Sequence, residues 1–249
     1  MGTFTFKRFS VVNERSAMKV NTDGVLLGAA MTILSTDRNF LDVGTGTGTI
    51  ALMAAQRISD SLAAESDVNP QFNVDAVDLD EPSIQEALAN FQNSPWGENI
   101  HAHHAAFDEF AAAHVNSRYD LIFSNPPYFE DSLLASQERR SQARHTATGL
   151  SYRELLDFAK YALSEKGRFS IVLPADQEQP LCRYARMNAL HLVRILRVRT
   201  IPRKAPTRIL AEFSRSRCES PAEELLTIQN EGKYTNEYLS LTREFYLFA

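Results

Sequence analysis

Residues Asn39-Phe-Leu-Asp-Val-Gly-Thr-Gly-Thr-Gly48 decide how the rest of the chain is read. Asn39–Val43 is a short apolar run of strand character, and it leads directly into three alternate glycines. From Gly48 to Arg57 the apolar residues Ile50, Ala51, Ala54 and Ala55 recur on one side of a helix. Gly44, Gly46 and Gly48 allow a tight strand-to-helix turn and close approach of a ligand to the backbone. The spacing is G-x-G-x-G, so the G-x-G-x-x-G dinucleotide pattern fits poorly. Asp42 at the strand end would repel phosphate and suits an amine or hydroxyl donor. A turn serving strand–helix packing alone is the competing reading.

The same alternation continues outward. Val74–Leu79 is a second strand, and Pro82 suits the first turn of a helix running to about Phe91. Ile100–Ala105 and Tyr119–Ser124 are the third and fourth strands. Ser151 and Glu154 form a capping box for a helix over Tyr152–Ala162, which Gly167 ends before a fifth strand at Arg168–Leu173. This order predicts an α/β fold with a doubly wound, mostly parallel sheet. Leu190–Ile201 and Thr207–Arg217 are joined too briefly for a helical crossover, so they pair antiparallel. Residues 66–72 read as a loop, and the aromatic tail ending in Phe245-Tyr-Leu-Phe248 packs back onto the domain.

Composition narrows the class. The 249 residues are 44% hydrophobic with a net charge of −5, which excludes a disordered chain. The length suits one large domain or two small ones. No run approaches a membrane span, and the opening MGTFTFKRFS has no apolar signal region. Cys182 and Cys218 lack metal-ligand spacing, and their scarcity points to a reducing cytoplasm. His101, His103 and His104 read as surface residues rather than metal ligands. The charge is uneven. Residues 181–217 carry nine Arg and one Lys against the single acid Glu212, a balance of +9. Arginine favours bidentate contact with phosphate or carboxylate, although a solvated face would look the same. Arg139, Arg140, Arg144 and His145 form a smaller basic cluster.

Two further motifs fall at strand ends. Asp78 closes the second strand, where an acid can accept hydrogen bonds from both hydroxyls of a ribose. Asp75 and Asp80 compete for that role, and Asp80 can also cap the next helix. Asn125-Pro-Pro-Tyr128 follows the fourth strand. The prolines preset where the Asn125 side chain and the Pro126 carbonyl point, giving two fixed acceptors for an amino group. Tyr128 offers a flat face for the ring that carries the amine.

With these motifs in order, residues 38–217 resemble the class I S-adenosylmethionine-dependent methyltransferases that act on amino groups. Phe6-Lys-Arg-Phe9, Ala17-Met-Lys-Val-Asn-Thr-Asp-Gly-Val-Leu-Leu-Gly28 and Pro206–Phe213 are similar to bacterial enzymes that methylate N6 of adenosine 37 in valine tRNA. The resemblance implies a Rossmann-like, seven-stranded sheet in one domain spanning 1–249. Residues 1–37 would cover the cofactor site, 38–217 form the catalytic core, and 218–249 pack on it. Asn125, Pro126 and Tyr128 would be catalytic. S-adenosylmethionine would be held by Lys19, Thr22, Asp23, Asp42, Gly44, Gly46, Gly48, Asp78, Phe107 and Asp108. Asp23 could instead cap a helix. Where the family often has an acid after the third strand, this chain has Ala106. The cofactor's adenine amine then falls to Asp108 or to a backbone group. Arg197, Arg199, Arg203, Lys204 and Arg208 would hold the anticodon arm of the tRNA. The resemblance implies a monomer with no metal. Rival readings are methylation of a protein glutamine at N5, methylation of ribosomal RNA guanine at N2, and an RNA-binding module without turnover.

Overall fold

The computed structural model describes residues 2–16, 19–65, 71–127 and 150–249. Tyr128 and the 139–145 basic cluster lie outside the described residues. A hairpin of β1 (Thr3–Thr5) and β2 (Ser10–Val12) precedes α1 (Thr22–Ala30). The core then runs β3 (Asn39–Val43), α2 (Thr49–Glu65), β4 (Asn73–Asp78), α3 (Glu81–Gln92), β5 (Ile100–His104), α4 (Phe107–Ala113) and β6 (Tyr119–Ser124). After the undescribed stretch come α5 (Tyr152–Ala162), β7 (Leu163–Pro174), α6 (Glu178–Met187), β8 (His191–Arg199) and β9 (Arg208–Ser214). The tail adds β10 (Ala222–Thr227), the short pair β11 (Gln229–Asn230) and β12 (Lys233–Tyr234), and α7 (Asn236–Thr242).

The main sheet has the order β10-β8-β9-β7-β6-β3-β4-β5. Strands β5, β4, β3, β6 and β7 are parallel, and β9 lies antiparallel between β7 and β8. The late antiparallel pair therefore stands as the loop length required. The sheet has eight strands rather than seven, because β10 pairs parallel to β8. Its sequence, AEELLT, has no alternating apolar pattern, so periodicity did not mark it. Its backbone ladder to β8 and the buried Leu226 hold it, with ion pairs added at the surface. Glu223 meets Arg197 at 2.9 Å and Glu224 meets Arg194 at 2.7 Å.

Other boundaries moved for physical reasons. Helix α2 continues past Arg57 because Ile58 and Leu62 extend its buried stripe. Gly167 does not end a helix; it sits inside β7, where a Cβ would stand 2.7 Å from the Tyr119 carbonyl oxygen. Close approach of β6 and β7 needs a glycine there. Asn21, not Asp23, caps α1, its side chain accepting from the Gly24 amide at 2.8 Å. Ser151 and Glu154 form the expected capping box on α5.

Both chain ends pack together. Phe6 stacks on Phe9 at 4.6 Å and faces Tyr246 at 6.1 Å. The Lys7 ammonium donates to the Arg243 and Ala249 carbonyls. From α3, Asn90 exchanges hydrogen bonds with the Val12 backbone and donates to the Thr47 carbonyl, tying the hairpin to the glycine loop. The Glu86 carboxylate accepts the amides of Glu14, Arg15 and Ser16, which hold it below its ordinary pKa against the opposing pull of desolvation.

The C-terminal end of α1 is fixed by a buried charge group. Arg57 donates to the Gly28 and Met31 carbonyls at 3.0 and 2.7 Å, and Arg194 to the Ala30 carbonyl at 2.6 Å. Glu212, inaccessible to solvent, accepts from the Thr32 amide at 3.0 Å and from Arg194 at 2.8 Å. Burial drives the Arg57 pKa down to about 10, and the Glu212 charge opposes that. Glu212→Gln keeps the shape and removes the charge between two guanidiniums. We expect a loss of about 1–3 kcal/mol, read as a lower urea midpoint with unchanged slope. An unchanged midpoint would mean the charge is not needed there.

Candidate active site

Parallel strands β3, β4 and β6 end at one edge of the sheet, and the predicted motifs meet there. Ligands of open α/β sheets bind at this carboxyl edge. Gly44, Gly46 and Gly48 have φ of +72°, +56° and +82°, so the loop needs glycine for its turn. A Cβ at Gly46 would meet nothing within 4 Å, which leaves its backbone open to a ligand. One Asp78 oxygen accepts the Gly46 amide at 2.8 Å and the other the Asp80 amide at 2.9 Å. Burial raises the Asp78 pKa. Of its competitors, Asp80 caps α3 and Asp75 pairs with His103 at 2.7 Å and Tyr119 at 3.1 Å.

Asp42 is completely buried. Its Oδ2 accepts from the Thr45 hydroxyl at 2.8 Å and the Ala51 amide at 3.1 Å, bracing the loop from beneath. Its Oδ1 has no partner among the described residues. Burial pushes its pKa up to about 7 from 3.8, although both hydrogen bonds pull it down. Between about pH 4 and pH 7 the folded protein thus holds more protons at this site than the unfolded chain. Asp42 therefore makes stability fall as pH rises through that window. Asp42→Asn removes the titration, so urea midpoints measured from pH 5 to 8 should fall less with pH in the variant. Parallel pH profiles would show that Asp42 is not the source.

Asn125 is 7% exposed directly after β6, and Pro126 is buried. The Ser124 hydroxyl donates to the Val43 carbonyl at 2.7 Å, locking the end of β6 beside the glycine loop. Helix α1 closes on the same place: a Cβ at Gly24 would stand 3.7 Å from Asn125 Nδ2. Thr22 and Asp23 occupy the first turn of α1, and Asp23 accepts from Arg208 at 2.8 Å. The Lys19 ammonium is held by the carbonyls of Asn13 and Glu14. Ala106 caps α4 without a side-chain bond, Phe107 packs edge-on to Phe158 at 5.3 Å, and Asp108 is exposed. The Ala105 amide donates to the Asp78 carbonyl at 3.1 Å, which brings this segment to the cluster.

Three arginines of the basic segment are neutralised in space. Arg194 pairs with Glu212 and Glu224, Arg197 with Glu178 and Glu223, and Arg208 with Asp23. Arg199 donates to the Thr227 hydroxyl at 2.8 Å. Arg203 and Lys204 stay exposed on the turn between β8 and β9, at the same edge as the glycine loop. Sequence reasoning missed Asn21, Glu86, Asn90 and Glu212, which shape the site from outside. Only the capping signal of Asn21 was readable locally.

The described residues fit an adenosine-bearing cofactor. An open glycine cradle lies beside an acid at the end of the neighbouring strand, and an orphaned carboxylate oxygen sits beneath the loop. Fold and site together define a methyltransferase, and residues 26–199 match the family model for the RMKL-like methyltransferase domain. The chain is 38% identical over 247 residues to a tRNA1(Val) (adenine(37)-N6)-methyltransferase of Flavobacterium psychrophilum, covering 98% of this chain and 99% of that one. Counterparts from Bacteroides fragilis and Yersinia pestis are 41% and 40% identical, each covering at least 94% of both chains. The chain belongs to this tRNA1(Val) (adenine(37)-N6)-methyltransferase family. Among solved structures, a predicted O-methyltransferase from Agrobacterium tumefaciens superposes with TM-score 0.64 at 15% identity, covering 90% of this chain and 96% of its own. A SAM-dependent methyltransferase from the same organism gives 0.54 at 15% identity, covering 87% and 71%.

Proposed function

We propose that the chain transfers a methyl group from S-adenosylmethionine to N6 of adenosine 37, beside the anticodon of valine tRNA. The observation that carries this reading is Asn125-Pro126 locked by Ser124 against the glycine loop, in a chain about 40% identical to such enzymes end to end. When bound, the cofactor supplies an electrophilic methyl carbon on a sulfonium. Gly44, Gly46 and Gly48 would admit it, Asp78 would accept its ribose hydroxyls, and Thr22 and Asp23 would border it from α1. Asp108 or a neighbouring backbone group takes its adenine amine.

Asn125 Oδ1 and the Pro126 carbonyl accept the two N–H bonds of the target amine. This draws the nitrogen toward a tetrahedral shape and frees its lone pair, which is otherwise delocalised into the ring. The extra proton leaves after transfer, so no strong base is required. Positioning can supply about 7–11 kcal/mol of the barrier. The base must leave its stack at a cost of a few kcal/mol, and stacking on Tyr128 returns roughly 1–3 kcal/mol. Arg197, Arg199, Arg203, Lys204 and Arg208 face the anticodon arm. Arg203 and Lys204 contribute most, since the others are bonded within the protein.

We read the enzyme as a cytoplasmic monomer that uses no metal. Among the described residues no helix is long and apolar enough to cross a membrane. The test is labelled methyl transfer to bulk tRNA lacking the modification, followed by nucleoside analysis. N6-methyladenosine is expected. Incorporation into protein alone, or as N2-methylguanosine in ribosomal RNA, would overturn the substrate assignment.

A further inference from the structure

We infer that the cleft between α5 and α6 is a second RNA site, holding an unpaired nucleotide of the anticodon loop beside the target base. This rests on the reading of the chain as a tRNA methyltransferase and adds a site to it. The cleft has a volume of about 460 Å³ and is lined by Tyr152, Arg153, Gln179, Arg183, Tyr184 and Met187, among others. That falls within the range of small-molecule pockets.

Its position follows from the topology. Helix α5 runs from the carboxyl edge of the sheet down to the start of β7, and α6 leaves the carboxyl end of β7. Both helices therefore begin at the edge that carries the glycine loop. Leu150, two residues before Tyr152, lies against that loop: a Cβ at Gly44 would stand 3.2 Å from its Cδ2.

Its chemistry matches unpaired RNA. Tyr152 and Tyr184 meet edge to face at 6.3 Å, and the Arg153 guanidinium lies 5.7 Å from both ring centres. Arg153 and Arg183 are exposed. Tyr152 is buried beneath Arg153, so the exposed planes are the guanidiniums, and RNA-binding proteins stack bases on guanidinium planes as well as on aromatic rings and hold phosphates with them. Of three acids around the cleft, one is paired with a cation and two accept from neutral donors. Both Asp157 oxygens accept from the Tyr184 hydroxyl at 3.0 Å, Glu154 accepts the Ser151 amide, and Glu178 pairs with Arg197.

The test compares wild type with Arg153→Ala/Arg183→Ala in steady-state methylation and in tRNA binding across a salt series. The expected result is a tRNA KM raised roughly tenfold, with kcat at saturating tRNA and cofactor affinity unchanged. The slope of log binding constant against log salt should fall by about 1.4, for two single-strand phosphate contacts. Unchanged KM and slope in an active enzyme would overturn the cleft assignment while leaving the methyltransferase reading intact, as would a fall in kcat alone. Wild type that neither binds nor methylates tRNA would overturn that underlying reading. Arg183→Gln alone, an exposed change, should move both quantities in the same direction by about half and serves if the double variant misfolds.

Discussion

Replacing Asn125 with alanine lowers kcat for RNA methylation by about 10²–10³-fold, the usual loss when one preorganised hydrogen-bonding group at the reacting centre is removed. The substitution deletes an acceptor held at 7% exposure by the Ser124–Val43 lock, so water enters poorly to replace it. Glycine loop and Asp78 are untouched, so cofactor affinity measured by calorimetry should stay within about threefold. RNA binding should survive as well, because the exposed arginines remain. Loss of turnover with both affinities kept separates an enzyme from a binding module of the same fold. Undiminished turnover would remove Asn125 from the mechanism.

Gly48→Ala is expected to have the largest effect on stability. Gly48 has φ of +82°, which an L side chain reaches at a cost of about 1–2 kcal/mol. Its new methyl would also stand 2.2 Å from Phe91 Cε1. Phe91 is 1% exposed in the apolar core, so its ring has nowhere to swing, and overpacking adds about 1–3 kcal/mol. The combined loss of about 2–5 kcal/mol would appear in denaturant unfolding. Because the strain falls on the first residues of α2, cofactor affinity should drop with it. Wild-type stability in this variant would mean the glycine is dispensable.

The parts of the fold legible in the sequence are those with local signals. The glycine loop, the capping box at Ser151 and the apolar strands each carry their cause within a few residues. The late antiparallel pair followed from a loop too short for anything else. Strand β10 carried no such signal, because its acids are explained only by the arginines of β8 across the sheet. The same pairing takes up Arg194 and Arg197 of the +9 segment, whose charge looked available only while these partners were distant in sequence. In the site, Asp75, Asp78 and Asp80 each have partners set by packing, which the sequence does not display. Asp42 was legible as a residue at the loop, but its full burial and bracing role come from packing.

The most direct test of the account uses two transcripts of valine tRNA, one with adenosine and one with guanosine at position 37, in labelled methyl transfer with the purified chain. The account predicts incorporation as N6-methyladenosine into the first and none into the second. Equal incorporation into both, or none into either, would contradict it.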